Sequence, residues 1–179
     1  AIKMGERCSI NNVSVGVIPK VMKETPSSEK QKLGIFAYLI HFINQFLGLK
    51  RHRFFIEYDH QNISFLASEV LITNGQSVGV HPLKWSEKIA INDGHLDLFI
   101  IRAKSIREFF ALLFSIITKR KRDDIVKYVR FSDYCRIETQ NPTLVQADGD
   151  TFGETPIEIK VLTRALRVIV GENLDNTNI

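Results

Sequence analysis

Cysteine is scarce, with only Cys8 and Cys135 among 179 residues. Two thiols this far apart, each within a strand-like stretch, exclude a disulfide scaffold. They read as buried free thiols in a reducing compartment, with one disulfide or a reactive nucleophile as the alternatives. The five histidines (His41, His52, His60, His81 and His95) show no HExxH spacing and sit beside no cysteine pair, so no zinc site is expected. Long apolar runs are missing too. The longest, "LGIFAYLIHFINQFLGL" from 33 to 49, is interrupted by His41, Asn44 and Gln45 and falls short of the roughly 20 residues that span a bilayer. The chain opens "AIKMGERC", with neither an initiator Met nor an apolar leader, the beginning expected of an excised piece. No internal repeat, low-complexity tract or linker divides it, so a single domain spanning 1–179 is expected.

The composition is that of an ordinary folded protein: 44% hydrophobic, 25% charged. The net charge of +4 is unevenly placed, in "KRKR" at 119–122, followed by Lys127 and Arg130, and in "KRHR" at 50–53. Such runs form a solvated face, or meet an anionic membrane surface or nucleic acid. Nucleic acid is disfavoured because no helix-turn-helix, zinc or RNA-binding signature accompanies the charge.

Alternation in "CSINNVSVGV" marks an opening strand. Ser28 with Gln31 forms a capping box before the apolar run at 33–49, predicting a helix of about four turns whose wide apolar stripe is either core or one wall of a pocket. "RFFIEY" (53–58) and "ISFLASEVLITNG" (63–75) read as antiparallel strands joined through "DHQN". Asn92-Asp93-Gly94 is a turn leading into a strand from Leu96 to Ile101. Ser105 and Glu108 then cap a second helix over "FFALLFSII", whose basic C-terminal run suits the helix dipole. "YCRIETQ", "IEIKV" and "LRVIV" return to strand periodicity. About eight strands in hairpins with two helices predict a mainly β (α+β) fold, an antiparallel β-sandwich decorated by helices.

The stretch "QADGDTFGETPIEI" (146–159) sets Asp148 and Asp150 on either side of Gly149. Asp-Gly forms hairpin turns because glycine tolerates positive φ and Asp bonds its own backbone. A catalytic or metal role for these acids stays open beside the turn.

Taken in order, "NNVSVG", "PSSEKQKLGIFAYL", "VLITNGQSVG", "KIAINDGHLDLFII" and "VQADGDTFGETPIEIKVLTRALRVIV" closely resemble the second domain of the diacylglycerol kinase and sphingosine kinase superfamily of lipid kinases. The carrying elements are Asn74 followed by Gly79, the DG-x-LD element (Asp93, Gly94, Leu96, Asp97), and the late DG-acid turn before a Thr-Pro strand start. The resemblance implies the β-sandwich half of a two-domain kinase. The ATP-binding half, with its GGDGT loop, is not in this chain, so the chain alone is expected to be inactive. It implies Asp150 as the general base toward a lipid hydroxyl, Asp148 as the residue holding the turn, and Asn74 and Gly79 on the substrate side. Many relatives have Glu where Asp150 stands, and the shorter side chain retracts the carboxylate by about 1.5 Å. It also implies a structural magnesium at Asp93, with carbonyls of Ala90 and His95, or else an Asp93 that only caps its own turn. The expected setting is cytoplasmic and peripheral at a membrane, with a lipid substrate, ATP and magnesium, and no nucleic-acid partner. The alternative is a non-catalytic β-sandwich that binds a lipid or other apolar ligand.

Overall fold

The computed structural model describes residues 1–19, 51–76, 89–118, 120 and 122–167. Among them, twelve strands form two six-stranded antiparallel sheets. The strands are β1 (Ile2–Met4), β2 (Arg7–Ser9), β3 (Asn12–Gly16), β4 (His52–Tyr58), β5 (Gln61–Ala67), β6 (Glu69–Thr73), β7 (Leu96–Ile101), β8 (Val126–Phe131), β9 (Tyr134–Thr139), β10 (Leu144–Ala147), β11 (Asp150–Glu154) and β12 (Ile157–Val161). The first sheet runs β2-β1-β12-β9-β4-β5 and the second β11-β10-β3-β6-β7-β8.

The sandwich follows from period-two patterning. Phe54, Ile56 and Tyr58 of β4, Ile137 of β9 and Ile157 and Ile159 of β12 face Val13 and Val15 of β3, Ile72 of β6 and Leu96, Leu98 and Ile100 of β7 across one core. Truncating a fully buried anchor such as Phe54 to Ala removes transfer energy and leaves a cavity, at a cost of about 3–5 kcal/mol.

Strands β4 and β5 pair from His52↔Ala67 to Tyr58↔Gln61 through a two-residue turn, with Asp59 and His60 both at positive φ, 40° and 66°. The run expected as one strand, 63–75, is two. At Ser68 the chain leaves the first sheet and enters the second, the Ser68 amide donating to the Ile101 carbonyl at 2.9 Å. Gly16 makes that corner possible. It sits at φ 136°, and a Cβ there would meet the Ser68 carbonyl oxygen at 2.4 Å and Glu69 Oε2 at 2.8 Å.

Within the second sheet β6 and β7 are buried at every position. Its outer face therefore carries buried polar residues: Ser14, Glu69, Thr73, Asp97 and Gln146. Glu69 Oε2 accepts from the Ile18 amide at 2.9 Å, while Oε1 is buried with no hydrogen-bond partner among the described residues. Burial pushes the Glu69 carboxyl up to about 8, although hydrogen bonds from Ile18, Val17 and Ser14 pull the other way.

The helix α1 (Ile106–Ile117) is capped as its sequence predicts. Ser105 Oγ accepts from the Glu108 amide, and Glu108 reaches back to the amide of Lys104 at 2.7 Å. Phe109 and Leu112 pack on Val17, Ile101 and Ile125.

Several expectations need correction. The hairpin β1–β2 precedes the expected first strand, and the described residues hold twelve strands where about eight are expected from the sequence. No basic residue lies in the last turn of α1; the run at 119–122 follows the C-cap Thr118 in sequence, and Lys119 and Lys121 of it lie outside the described residues. Cys135 is buried and free, but Cys8 is exposed, because it lies on edge strand β2. Of the strand expected at "LRVIV", Leu166 and Arg167 are outside any strand and 168–170 lie outside the described residues. The helix expected after Ser28, and Gly79, lie outside the described residues.

Candidate functional site

One end of the second sheet gathers most of the residues singled out from sequence. Asn12, Thr73, Asp97 and Arg130 lie in one row across β3, β6, β7 and β8. The turn 9–12 and the hairpin turn at Asp148-Gly149 stand at the same end, where the Asp148 amide donates to the Asn12 carbonyl at 3.0 Å.

Asp148 adopts φ 49° and Gly149 φ 98°, so both central residues of the β10–β11 turn are left-handed, as a two-residue primed turn requires. The Asp148 carboxylate is turned back onto the turn 9–12. Oδ1 accepts from Ser9 Oγ (2.7 Å) and from the amides of Asn11 and Asn12 (2.9 Å each), and Oδ2 accepts from the amide of Ile10 (2.6 Å). Burial by itself raises its pKa, but the bonds from Asn12, Ile10, Ser9 and Asn11 outweigh this and hold the carboxyl below the usual range. Asn74 grips the same turn from the other side, its amide donating to the Asn11 carbonyl at 2.9 Å and its Nδ2 to the Ile10 carbonyl at 3.2 Å. Asp148 and Asn74, far apart in sequence, thus converge on residues 9–12.

Asp150 is used differently. It opens β11, opposite Ala147, is exposed, and its carboxylate accepts no hydrogen bond among the described residues. It borders a concavity of about 230 Å³ that Arg7, Ser9, Asp148 and Phe152 also line, with the Arg7 guanidinium 5.6 Å above the Phe152 ring. A larger hollow of about 430 Å³, lined by Phe55, Glu57, Ser64 and Arg136, lies on the first sheet and touches none of the residues singled out from sequence. The chemistry-bearing turn, rather than the larger volume, marks the candidate site.

The loop before β7 forms a second cluster. Asp93 Oδ1 accepts from the His95 amide at 3.0 Å, the Asx turn that the sequence left open, and Oδ2 faces Arg130 Nη2 at 3.3 Å. The Asp93 carbonyl meets His95 Nδ1 at 2.7 Å. Arg130 Nε donates to Asp97 Oδ1 at 3.1 Å, and the Tyr128 hydroxyl donates to the same oxygen. Burial first, and then that hydrogen bond, push the Tyr128 hydroxyl up to about 12. Asp97 is fully buried, and its Oδ2 has no partner among the described residues.

A hard cation at Asp93 would need several converging oxygens. Here one carboxylate oxygen is taken by the His95 amide and the other faces a guanidinium, which repels a cation placed between them. With Arg130 in this position, Asp93 and the carbonyls of Ala90 and His95 do not fit a magnesium cage. The Arg130–Asp97–Tyr128 cluster was not legible in sequence, where Arg130 counted only as one of several basic residues.

Comparison with known proteins bears on the fold and the family. The protein named "Putative lipid kinase" of Staphylococcus carnosus is 23% identical over 173 residues, covering 94% of this chain and 55% of that protein. A protein from Synechocystis is 22% identical, covering 86% of this chain and 36% of its own length. The chain thus spans about half or less of these relatives. Among solved structures, one described as a putative diacylglycerol kinase from Bacillus anthracis superposes with a TM-score of 0.67 at 24% identity, covering 90% of this chain and 52% of that one. A second diacylglycerol kinase structure from the same organism gives 0.59 at 18% identity. The family model described as the YegS C-terminal NAD kinase beta sandwich-like domain matches residues 11–170, and the chain belongs to that family.

Proposed function

We propose that this chain is the lipid-facing domain of an ATP-dependent lipid kinase that phosphorylates the hydroxyl of a diacylglycerol-like or sphingoid lipid, in the cytoplasm at a membrane surface. The observation that carries the reading is the division of labour in the turn: Asp148 spends its carboxylate on residues 9–12, while Asp150 keeps an exposed carboxylate over a concavity. A base must reach the proton that it abstracts, and a tight turn anchored by Asp148 and Asn74 fixes where Asp150 points. Asp150 would accept the proton of the lipid hydroxyl as that oxygen bonds to the γ-phosphorus of ATP, the bond to ADP breaks, and the proton then passes to water. The nucleotide, with its own magnesium, would be held by a partner domain of the same protein, and the loop at Asp93 contributes no metal to this scheme. No nucleic-acid role is proposed.

A second reading, a non-catalytic sandwich binding an apolar ligand, is favoured by the shorter Asp at position 150 and by its solvent-open setting. The two readings separate when the full-length protein is incubated with labelled ATP, magnesium and a panel of diacylglycerol, sphingosine and ceramide. Label in one lipid supports the kinase and names its acceptor. No labelled lipid, together with saturable binding of the same lipids, supports the binder.

A further inference from the structure

The helix α1 is apolar on two sides. Phe109 and Leu112 point into the protein, and Ile106 and Ile116 flank them. Three or four residues apart on the adjoining side stand Phe110, Phe114 and Ile117, which are 42%, 61% and 56% exposed. Three large apolar side chains at this spacing form one outward stripe, which a surface helix of a water-soluble domain ordinarily fills with polar residues. Exposed patches of this kind mark contact with another apolar phase or partner.

The charges around the stripe select the partner. Between 104 and 122 the sequence has six basic residues against one acidic residue, Glu108, whose carboxylate is held at the amide of Lys104. Lys104, Arg107 and Arg120 are exposed. Arg122 is paired with Asp124 at 2.9 Å, and the other five basic residues still outnumber the two remaining acids, Glu108 and Asp123. Aromatic and aliphatic residues on one helix face, rimmed by basic residues, match an interface in which rings enter the acyl boundary while the cations stay among anionic headgroups. A protein partner covering the stripe would need no such basic excess.

We infer that the outer face of α1, through Phe110, Phe114 and Ile117 with Arg107 and Arg120 at its rim, docks the protein on an anionic lipid bilayer. This deepens the membrane-surface reading above, and it assigns docking to an element outside the turn that carries Asp148 and Asp150.

The test is flotation of the full chain, without nucleotide, on vesicles of phosphatidylcholine alone and of phosphatidylcholine mixed with phosphatidylglycerol. Wild type is expected to float with the mixed vesicles and to lose binding as salt is raised. Phe114→Ser and Ile117→Ser should each lower partitioning about tenfold with the circular dichroism spectrum unchanged, and Arg107→Glu should weaken binding only to anionic vesicles. As an independent reading in a Cys8→Ser background, an environment-sensitive fluorophore on Phe114→Cys should shift to the blue when mixed vesicles are added. The inference is overturned if wild type does not float, if the serine variants float as well as wild type, or if wild type is a dimer that the serine variants dissociate, which would give the face to a second copy. Vesicle binding through this face without lipid phosphorylation would contradict the kinase reading alone. Phosphorylation on vesicles that survives both serine substitutions would contradict only this inference.

Discussion

Raising the pH from about 5 to about 8.5 should cost this protein stability chiefly through one buried residue, Glu69. Its carboxyl is fully buried on the outer face of the second sheet, with Oε2 on the Ile18 amide and Oε1 without a partner among the described residues. Desolvation holds the folded-state pKa near about 8, against an ordinary 4.5. Above pH 4.5 the unfolded chain releases this proton while the folded protein retains it, so the folded state binds more protons and stability falls with rising pH. The contribution is fully present below the unfolded pKa and is lost as the pH passes through about 8. At about 1.4 kcal/mol per pH unit, the whole displacement corresponds to about 5 kcal/mol, an upper bound because water admitted to the folded site would reduce it. Asp148 and Asp59 are shifted downward, so their contributions are lost only as pH falls into the acid range and do not interfere. The assay is urea unfolding across this range for wild type and Glu69→Gln, an isosteric change that cannot ionise. The variant should show a markedly flatter profile and become the more stable of the two on the alkaline side. Parallel profiles would refute the reasoning.

Three further outcomes follow from the site. Asp148→Ala removes the acceptor of four hydrogen bonds from residues 9–12 and should cost about 2–3 kcal/mol of unfolding free energy by urea titration, with Asp148→Asn recovering part of it. Arg130→Ala leaves Asp97 buried with only Tyr128 and should destabilise by about 3–5 kcal/mol, seen as a lower Tm. Because Arg130 already faces Asp93, adding EDTA should leave the wild-type Tm unchanged, and a fall would restore the cation to that loop.

How far the fold was legible depended on how local its causes are. The Asp148-Gly149 turn, the Ser105 cap and the pairing of β4 with β5 rest on neighbouring residues, and each was readable. The hairpin β1–β2 was missed because two three-residue strands are too short to show a period. The crossover at Ser68 was missed because the apolar run passes through it without a Gly or Pro, and the Gly16 that makes room for it lies 52 positions earlier. The site split along the same line. That Asp148 would hold a turn was visible, but its partners Ser9 to Asn12 are 136 to 139 residues away. Arg130 bridges Asp93 and Asp97 only because β8 pairs with β7 in that register. Long-range register, which no local spacing encodes, decided which acids are engaged and which one is left exposed.

The central claim is that Asp150 is the working carboxylate of this turn. The most direct test measures lipid phosphorylation by the full-length protein with labelled ATP for wild type and Asp150→Asn, with the unfolding midpoint recorded beside each rate. The account predicts a rate lower by a factor of about 10²–10⁴, with stability within about 0.5 kcal/mol of wild type, since the side chain is exposed and makes no hydrogen bond among the described residues. An unchanged rate in Asp150→Asn would contradict it and leave "ADGD" as a hairpin turn alone.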